Sequence, residues 1–457
     1  MKESRSMDLE GKKILVLGLG MSGRSAARFC AERGARVTAA DEGRTDELSA
    51  MENLDDLGPG VRVLCGQPFP DPANFDLTVP SPGIPPHRYR ASAQRVWGDI
   101  ELAGRVLSIP IVAVTGTNGK STTVRMIEAM LNAAGLRAEA AGNVGTPALS
   151  LAGKPLDVAV LEVSSFQLET IEAFRPRVAV ILNITPDHLD RHGDIESYAR
   201  AKRRIFENQQ SGDAVVLDFD NAIVRAMAGD APSEVIPFSR RGPPALSDQH
   251  RSVWLDAGSA VFADPKGLAR VPLDSVPGLS SPDRDNALAA LAAVWALGVD
   301  PLEASEALVN FRPLPHRCEV VPTEDGVTWV NDSKATNPGA AQRSIEGTGG
   351  PTIWIAGGRD KGLSYSGLAE VAQQSVKTAL LIGEAAGLIE QALGGQIPCE
   401  RADDLDAAVK TAASLSGPGD VVLLAPACAS FDQFMSFEDR GECFRAAVQR
   451  YAKGNIP

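Results

Sequence analysis

The residues best equipped for chemistry lie in I-P-I-V-A-V-T-G-T-N-G-K-S-T-T, positions 109–123. Two glycines, Gly116 and Gly119, bracket Thr117 and Asn118, and an ammonium (Lys120) and two hydroxyls (Ser121, Thr122) follow at once. That order suits a polyphosphate. Glycines let main-chain amides turn toward phosphate oxygens, the lysine sits over the outer phosphoryl groups, and the serine can ligate Mg²⁺. The spacing departs from the commoner motif, because Val114 stands where that motif has its first glycine. A glycine-rich strand-to-helix connection without a ligand is the plainer alternative.

Further candidates sit where apolar runs end. Glu162 closes V-A-V-L-E, and a carboxylate inside an apolar strand is costly unless paired or bound to metal. The run V-A-V-I-L-N-I-T leads into P-D-H-L-D-R-H, placing Asn183, Asp187, His188 and His192 at a strand's C-terminal end. Ligands of open α/β sheets bind there, although His188 reads equally well as a hydrogen-bonded loop histidine. Near the start, Gly18, Gly20 and Gly23 form G-x-G-x-x-G after a strand, and Asp41 ends the next one. The pattern fits NAD or FAD, another diphosphate such as a UDP-sugar, or a tight turn with no ligand. In T-V-P-S-P-G-I-P-P the prolines stiffen a loop that could bring Ser81 and Gly83 to a ligand.

These residues need elements to hold them. Helix signals run from Thr122 to Ala134 behind the cradle, from Arg90 to Trp97, and through the Ala-rich run closed by Gly298. Between Val215 and Ala263 the text reads as a meander of short strands, with D-A-G-S as a hairpin signal. Strands then alternate with helices to the end of the chain, predicting an α/β protein whose sites lie on strand-end loops. With 457 residues, a third domain is expected. Boundaries near Gly98 and Pro313 divide the chain into 1–98, a Rossmann-like domain, 99–313, a mainly parallel sheet plus a small sheet, and 314–457, Rossmann-like again.

A net charge of −13 disfavours nucleic-acid and anionic-membrane partners. The six cysteines are scattered without a C-x-x-C pair, which fits a reducing compartment and signals neither disulfides nor zinc. The polar first residues are no signal peptide, and the apolar stretch 287–299 is too short to span a bilayer. A cytoplasmic, monomeric protein is expected.

Taken together, T-G-T-N-G-K-S-T, the Glu162 strand, N-I-T-P-D-H-L-D-R, L-P-H-R-C-E, N-D-S-K-A-T-N-P, G-G-R-D-K-G and P-A-C-A-S-F-D-Q-F resemble the Mur ligases of peptidoglycan synthesis. The match runs nearly the whole chain in order, and the last four blocks are similar to the D-glutamate-adding branch. The resemblance implies ATP-dependent amide formation through an acyl phosphate, with UDP-N-acetylmuramoyl-L-alanine and D-glutamate as substrates. It favours UDP over NAD at Gly18 to Gly23. It implies phosphate contacts from Gly116 to Thr122 and a catalytic set of Lys120, Glu162, His188 and Lys202. Ser121 and Glu162 would hold one Mg²⁺, and His188 with a carbamylated Lys202 a second; on composition Lys202 does not stand out from Arg203 or Arg204. Asn286, Arg317, Asp332 and Lys334 are implied nucleotide contacts. Thr336, Lys361, Ser430 and Phe437 resemble the D-glutamate pocket, and Ser22, Asp41, Ser81, Asn143, Ser164 and Gln167 the nucleotide-sugar site.

Two departures stand out. Asp283 occupies the place of an adenine-reading asparagine, and Arg44 lies in a loop that varies within the family. Rival readings are an NAD-dependent oxidoreductase, which leaves Lys120 unexplained, a non-catalytic nucleotide-binding module, and another amino-acid ligase of the same superfamily.

Overall fold

A computed structural model describes residues 7–43, 57–58, 60–143, 145–244, 251–265, 267–274, 276, 279, 281–311 and 314–452. Arg44 and Pro313 lie outside the described residues.

The first sheet contains β1 (Lys13–Leu17), β2 (Arg36–Asp41), β3 (Val61–Cys65) and β4 (Leu77–Pro80) in the order β3-β2-β1-β4, every pair parallel. Because β1 sits between β2 and β4, the loops after these three strands open beside one another. Gly18 takes φ +84° and Gly23 lets helix Met21–Glu32 press onto it: a Cβ on Gly23 would lie 1.8 Å from the Gly18 carbonyl oxygen. The helix expected from Arg90 to Trp97 is absent. Its first residues form turns, Ala93 N–H donating to the Tyr89 carbonyl (3.0 Å), and only Arg95 to Trp97 pairs with β4, Thr78 N–H donating to the Arg95 carbonyl (2.9 Å) and Trp97 N–H to the Thr78 carbonyl (3.1 Å). The helix starts later, at Asp99–Val106.

The second sheet has nine strands in the order β13-β12-β11-β10-β9-β8-β5-β7-β6. Its parallel part runs through β5 (Ile111–Thr115), β6 (Ala138–Gly142), β7 (Val158–Glu162), β8 (Val178–Ile181), β9 (Ala214–Asp218), β10 (Glu234–Ser239) and β11 (Ser252–Asp256). The antiparallel strands β12 (Ser259–Asp264) and β13 (Gly267–Pro272) complete it. The short strands thus extend the main sheet and form no small sheet of their own. The D-A-G-S signal is a two-residue hairpin, with Ala257 at φ +45° and Gly258 at φ +74° as a primed turn demands. The helix behind β5 spans Lys120–Ala133, two residues earlier than expected, because Gly119 at φ +88° closes the turn just before Lys120.

The third sheet has the order β14-β15-β19-β16-β17-β18, with only β14 antiparallel. Its strands are β14 (Glu319–Val321), β15 (Thr328–Asn331), β16 (Thr352–Gly357), β17 (Val376–Ile382), β18 (Cys399–Arg401) and β19 (Val421–Leu424). All of β16 is buried, with Trp354 and Ala356 in one core and Ile353 and Ile355 in the other. Helices on both faces therefore account for its unbroken apolar run.

The chain divides into two compact units. One holds the first two sheets (residues 1–184, 188–276 and 286–311), the other the third sheet with residues 185–187 and 277–285. Within the first unit a single apolar core runs from Leu9 to Met227, crossing both sheets. No described helix is long and apolar enough to cross a membrane.

The two neighbouring glycines give a contrast. Gly23→Ala should destabilise the protein by about 1–3 kcal/mol, because its new methyl group collides with backbone. Gly20→Ala meets nothing within 4 Å and should cost less than about 1 kcal/mol. Thermal unfolding of both variants checks this, and equal losses would show that the turn is not closely packed.

Candidate active site

The strand order accounts for the cradle. β5 lies between β7 and β8, which lead away on opposite sides, so a crevice opens at its C-terminal end. There Gly116 and Gly119 turn the chain, and a Cβ on Gly119 would strike Asn286 Oδ1 at 2.2 Å. Asn286 also receives a hydrogen bond from Thr123 Oγ1 (3.4 Å), so this expected nucleotide contact backs the loop directly. From the end of β8, Asn183 fixes the loop's shape. Its carbonyl accepts from Thr117 N–H (2.8 Å), its Oδ1 accepts from Asn118 N–H (2.9 Å), and its Nδ2 donates to the Asn118 carbonyl (3.0 Å).

Lys120 folds back over this loop, its Nζ donating to the carbonyls of Gly116 (3.0 Å) and Thr117 (2.8 Å). From β7, Glu162 is answered by two of the expected residues: Ser121 Oγ donates to Oε2 (2.6 Å) and Asn143 Nδ2 to Oε1 (3.0 Å). A hydroxyl and a carboxylate side by side beside a phosphate cradle suit a hard cation, which takes one or two protein oxygens and fills its shell with water and phosphate. Among the described residues no cluster of three or more His, Cys, Asp or Glu is placed to hold a metal without such a ligand.

Lys202 is almost fully buried, at 1% exposure. Its Nζ donates to the Gly116 carbonyl (2.8 Å) and Thr115 Oγ1 (3.5 Å) and lies 4.5 Å from the Tyr198 ring centre. These are contacts of an ammonium, which has no lone pair for a cation. Neither the carbamylation nor the second metal site expected at Lys202 draws support from them. Tyr198 also neighbours the His188 ring (6.4 Å), which packs edge-on against Phe166 (4.9 Å), so His188 and Lys202 adjoin one aromatic group. Next to them, burial lowers the pKa of His192, whose Nε2 lies 3.0 Å from Ser165 Oγ.

At the first sheet, Ser81 Oγ donates to the Gly18 carbonyl (2.9 Å), while Gly83 has open space around it. Asp41 accepts from the amides of Leu19 (2.6 Å) and Gly43 (2.8 Å), so its carboxylate shapes the glycine turn as well as standing at its mouth. Ser164 and Gln167 form a reciprocal cap on a short helix: the Gln167 amide N–H donates to Ser164 Oγ (3.2 Å) and the Ser164 amide N–H to Gln167 Oε1 (2.9 Å). Gln167 Nε2 in turn donates to Asp99 Oδ2 (2.8 Å), and the Ser22 side chain is near enough to act on the same carboxyl. Reading the sequence did not single out Asp99. It is one acid in the polar segment G-D-I-E-L, and its partner lies 68 positions away. Yet it adjoins two expected site residues, Gln167 and Ser22, and burial raises its pKa against their lowering effect.

In the other unit, the loops after β15, β19 and β16 lie side by side because those strands are neighbours. Lys334 Nζ lies 3.7 Å from the Phe437 ring centre, so a candidate nucleotide contact and a candidate amino-acid contact touch one another. Asp332 receives a short hydrogen bond from Ser344 Oγ, and burial outweighs that bond and the Arg317 charge to raise its pKa. Asp283 acts on the same surroundings through its charge, helping to raise the half-buried Cys318 thiol. Thr336 N–H donates to the Lys334 carbonyl (2.7 Å). Lys361 Nζ is 3.5 Å from Asp187 Oδ1, whose Oδ2 accepts from Asn337 Nδ2 (3.2 Å), and Ser430 is buried at the end of the β19 loop.

Residues 114–294 match the Mur ligase middle domain and residues 316–428 the Mur ligase glutamate ligase domain. The UDP-N-acetylmuramoylalanine–D-glutamate ligase of Pelotomaculum thermopropionicum is 41% identical over 462 residues, covering 98% of this chain and 99% of its own. The enzyme of that name from Anaeromyxobacter dehalogenans is 44% identical, with the same coverage. Among solved structures, a pseudomurein peptide ligase type C from Methanothermus fervidus superposes with TM-score 0.61 at 18% identity, covering 96% of this chain and all of that one. MurF ligase from Thermotoga maritima in complex with ADP gives 0.59 at 20% identity, covering 98% and 97%. At that identity these two share the fold.

A raised carboxyl pKa fixes the sign of a pH effect. Asp99 contributes stability fully below its unfolded pKa of about 3.9, and that contribution is lost as pH rises through its folded value. Asp99→Asn keeps an oxygen for Gln167 and removes the titration. Its melting temperature should therefore gain on wild type as the pH rises from about 4 through the folded-state value. A constant difference across that range would mean that Asp99 does not titrate there.

Proposed function

Because this chain belongs to the Mur ligase family, through both matched domains and relatives covering its full length, we propose that it joins D-glutamate to UDP-N-acetylmuramoyl-L-alanine at the expense of ATP. The observation that carries the reading is the cradle, where Lys120 and the Ser121–Glu162 pair meet at the end of β5. The alanyl carboxylate attacks the γ-phosphorus of ATP, the bond to ADP breaks, and an acyl phosphate forms. The D-glutamate amine then attacks the acyl carbon, phosphate departs, and the amine gives up a proton. Negative charge gathers where the phosphoryl group moves, so fixed cations and amide dipoles there lower the barrier. Lys120 supplies an ammonium, and the loop from Gly116 to Thr122 presents its amides. Ser121 and Glu162 are assigned to one Mg²⁺, which when bound neutralises charge on the phosphoryl oxygens.

The three sheets supply a natural division of labour, with residues 1–98 for the nucleotide sugar, 99–313 for ATP and 314–457 for the amino acid. Ser22, Asp41, Ser81, Asn143, Ser164 and Gln167 are assigned to the sugar and its alanyl arm. Arg317, Asp332, Lys334 and Asn286 are assigned to the nucleotide, and Thr336, Lys361 and Ser430 to D-glutamate. His188 and Lys202 are assigned to the reacting groups, Lys202 as a cation. The protein is read as a cytoplasmic monomer.

Phosphate release from ATP with UDP-N-acetylmuramoyl-L-alanine should require D-glutamate, because the ammonium of Lys361 and the hydroxyl of Ser430, on the loops after β16 and β19, select one hand of a dicarboxylate. Equal release with L-glutamate would sink the assignment. Lys120→Ala should lower kcat by about 100-fold or more, as loss of a fixed charge-stabilising donor does. Turnover near the wild-type rate would remove the cradle from the chemistry.

A further inference from the structure

The Arg440 side chain is completely buried, at 0% exposure, in the first turn of helix Phe437–Tyr451. Both placements are unfavourable. Burial strips a cation of water, and the positive end of the helix repels it. The loss of hydration lowers its pKa to about 10. Its hydrogen bonds offset this without a carboxylate. Nε donates to Ser333 Oγ (3.0 Å), Nη2 to the carbonyls of Ser333 (2.9 Å) and Cys428 (3.2 Å), and Nη1 to the carbonyl of Ala429 (3.4 Å). Asp332 and Asp432 act on it only through their charge.

The acceptors belong to two different loops. Ser333 lies between Asp332 and Lys334, the assigned nucleotide contacts after β15. Cys428 and Ala429 lead into Ser430, the assigned amino-acid contact after β19. The second loop is held under strain, with Ala427 at φ +61°, where a side chain is disfavoured. Its neighbours keep it there: Ala427 N–H donates to the Ala335 carbonyl (2.8 Å), and Ala429 pairs with Arg359. Nη1 also lies against the end of β16, where a Cβ on Gly358 would come within 3.1 Å of it.

We propose that Arg440 is a positioning residue whose planar fork locks the loop 332–336 to the loop 427–430, so that the nucleotide and amino-acid contacts keep one mutual register. The proposal rests on the substrate assignments made above. A guanidinium can span both loops because its donors diverge in a fixed plane, which a lysine ammonium does not reproduce.

Steady-state kinetics of Arg440→Lys tests this. KM for D-glutamate and KM for ATP should each rise about tenfold to a hundredfold, as misplaced contacts do, while KM for the UDP-sugar stays within about twofold. Wild-type KM values for ATP and D-glutamate, or an equal rise in all three, would overturn the proposal. Should Arg440→Lys fail to fold, Ser333→Ala removes one acceptor of Arg440 on the nucleotide loop, together with the Ser333 Oγ donation to the Phe437 carbonyl (2.8 Å). It should still raise KM for D-glutamate, and a change confined to ATP would refute the coupling. Wild-type phosphate release with D-glutamate separates the two levels: without it the functional reading falls, whereas with it and normal variants only this proposal falls.

Discussion

Glu162 sets the terms for the catalytic unit. A carboxylate at the end of an interior strand is tolerable only if donors answer it, and here they come from two neighbouring elements. Ser121 reaches it because β5 lies beside β7 and because Gly119 starts the next helix one residue before Lys120. Asn143 reaches it from the turn after β6. The acid, the cradle and the strand order are thus one arrangement, and moving any of them leaves a buried charge unanswered.

The same geometric device recurs in each sheet. A strand whose two neighbours depart in opposite directions leaves a cleft at its C-terminal end, and candidate residues gather there. What differs is the buried polar group that stiffens each cleft. In the first it is Asp99, which ties Ser22 to Gln167. In the second it is Asn183, which copies the backbone of the loop it holds. In the third it is Arg440. Each spends its hydrogen bonds on neighbouring loops, so the groups that face solvent inherit a fixed position.

Much of this was legible in the sequence because local pattern and chemistry agree. Glycines before Lys120 and an acid closing an apolar strand mark the cradle without any tertiary information. Lys202 could have been told from Arg203 and Arg204 by helical spacing, since Tyr198, Lys202 and Ile205 line one buried stripe while both arginines keep partial access to water. Asp99 and Arg440 were not legible, because Gln167 lies 68 positions from the first and Ser333 107 from the second, while the nearer partners of Arg440 are main-chain carbonyls that no side-chain type marks. The stretch from Arg90 to Trp97 misled for a related reason: its composition allows a helix, but pairing with β4 claims the backbone of Arg95 to Trp97. The short strands β11 and β12 were seen as strands, yet only the register of β10 with β11 reveals that they widen the main sheet.

The apolar core shared by the first two sheets bears on how the chain is made. Ile14, Val37 and Val79 of the first sheet belong to the same core as Leu149, Ile181 and Phe206. A nascent chain that has emerged only through the first sheet therefore carries a greasy flank whose cover has yet to be synthesised. The third sheet brings helices for both of its faces and completes its cores from residues 321–452. Synthesis from the N-terminus leaves the early segment reliant on later strands or on chaperones, while the last segment can condense as soon as it leaves the ribosome.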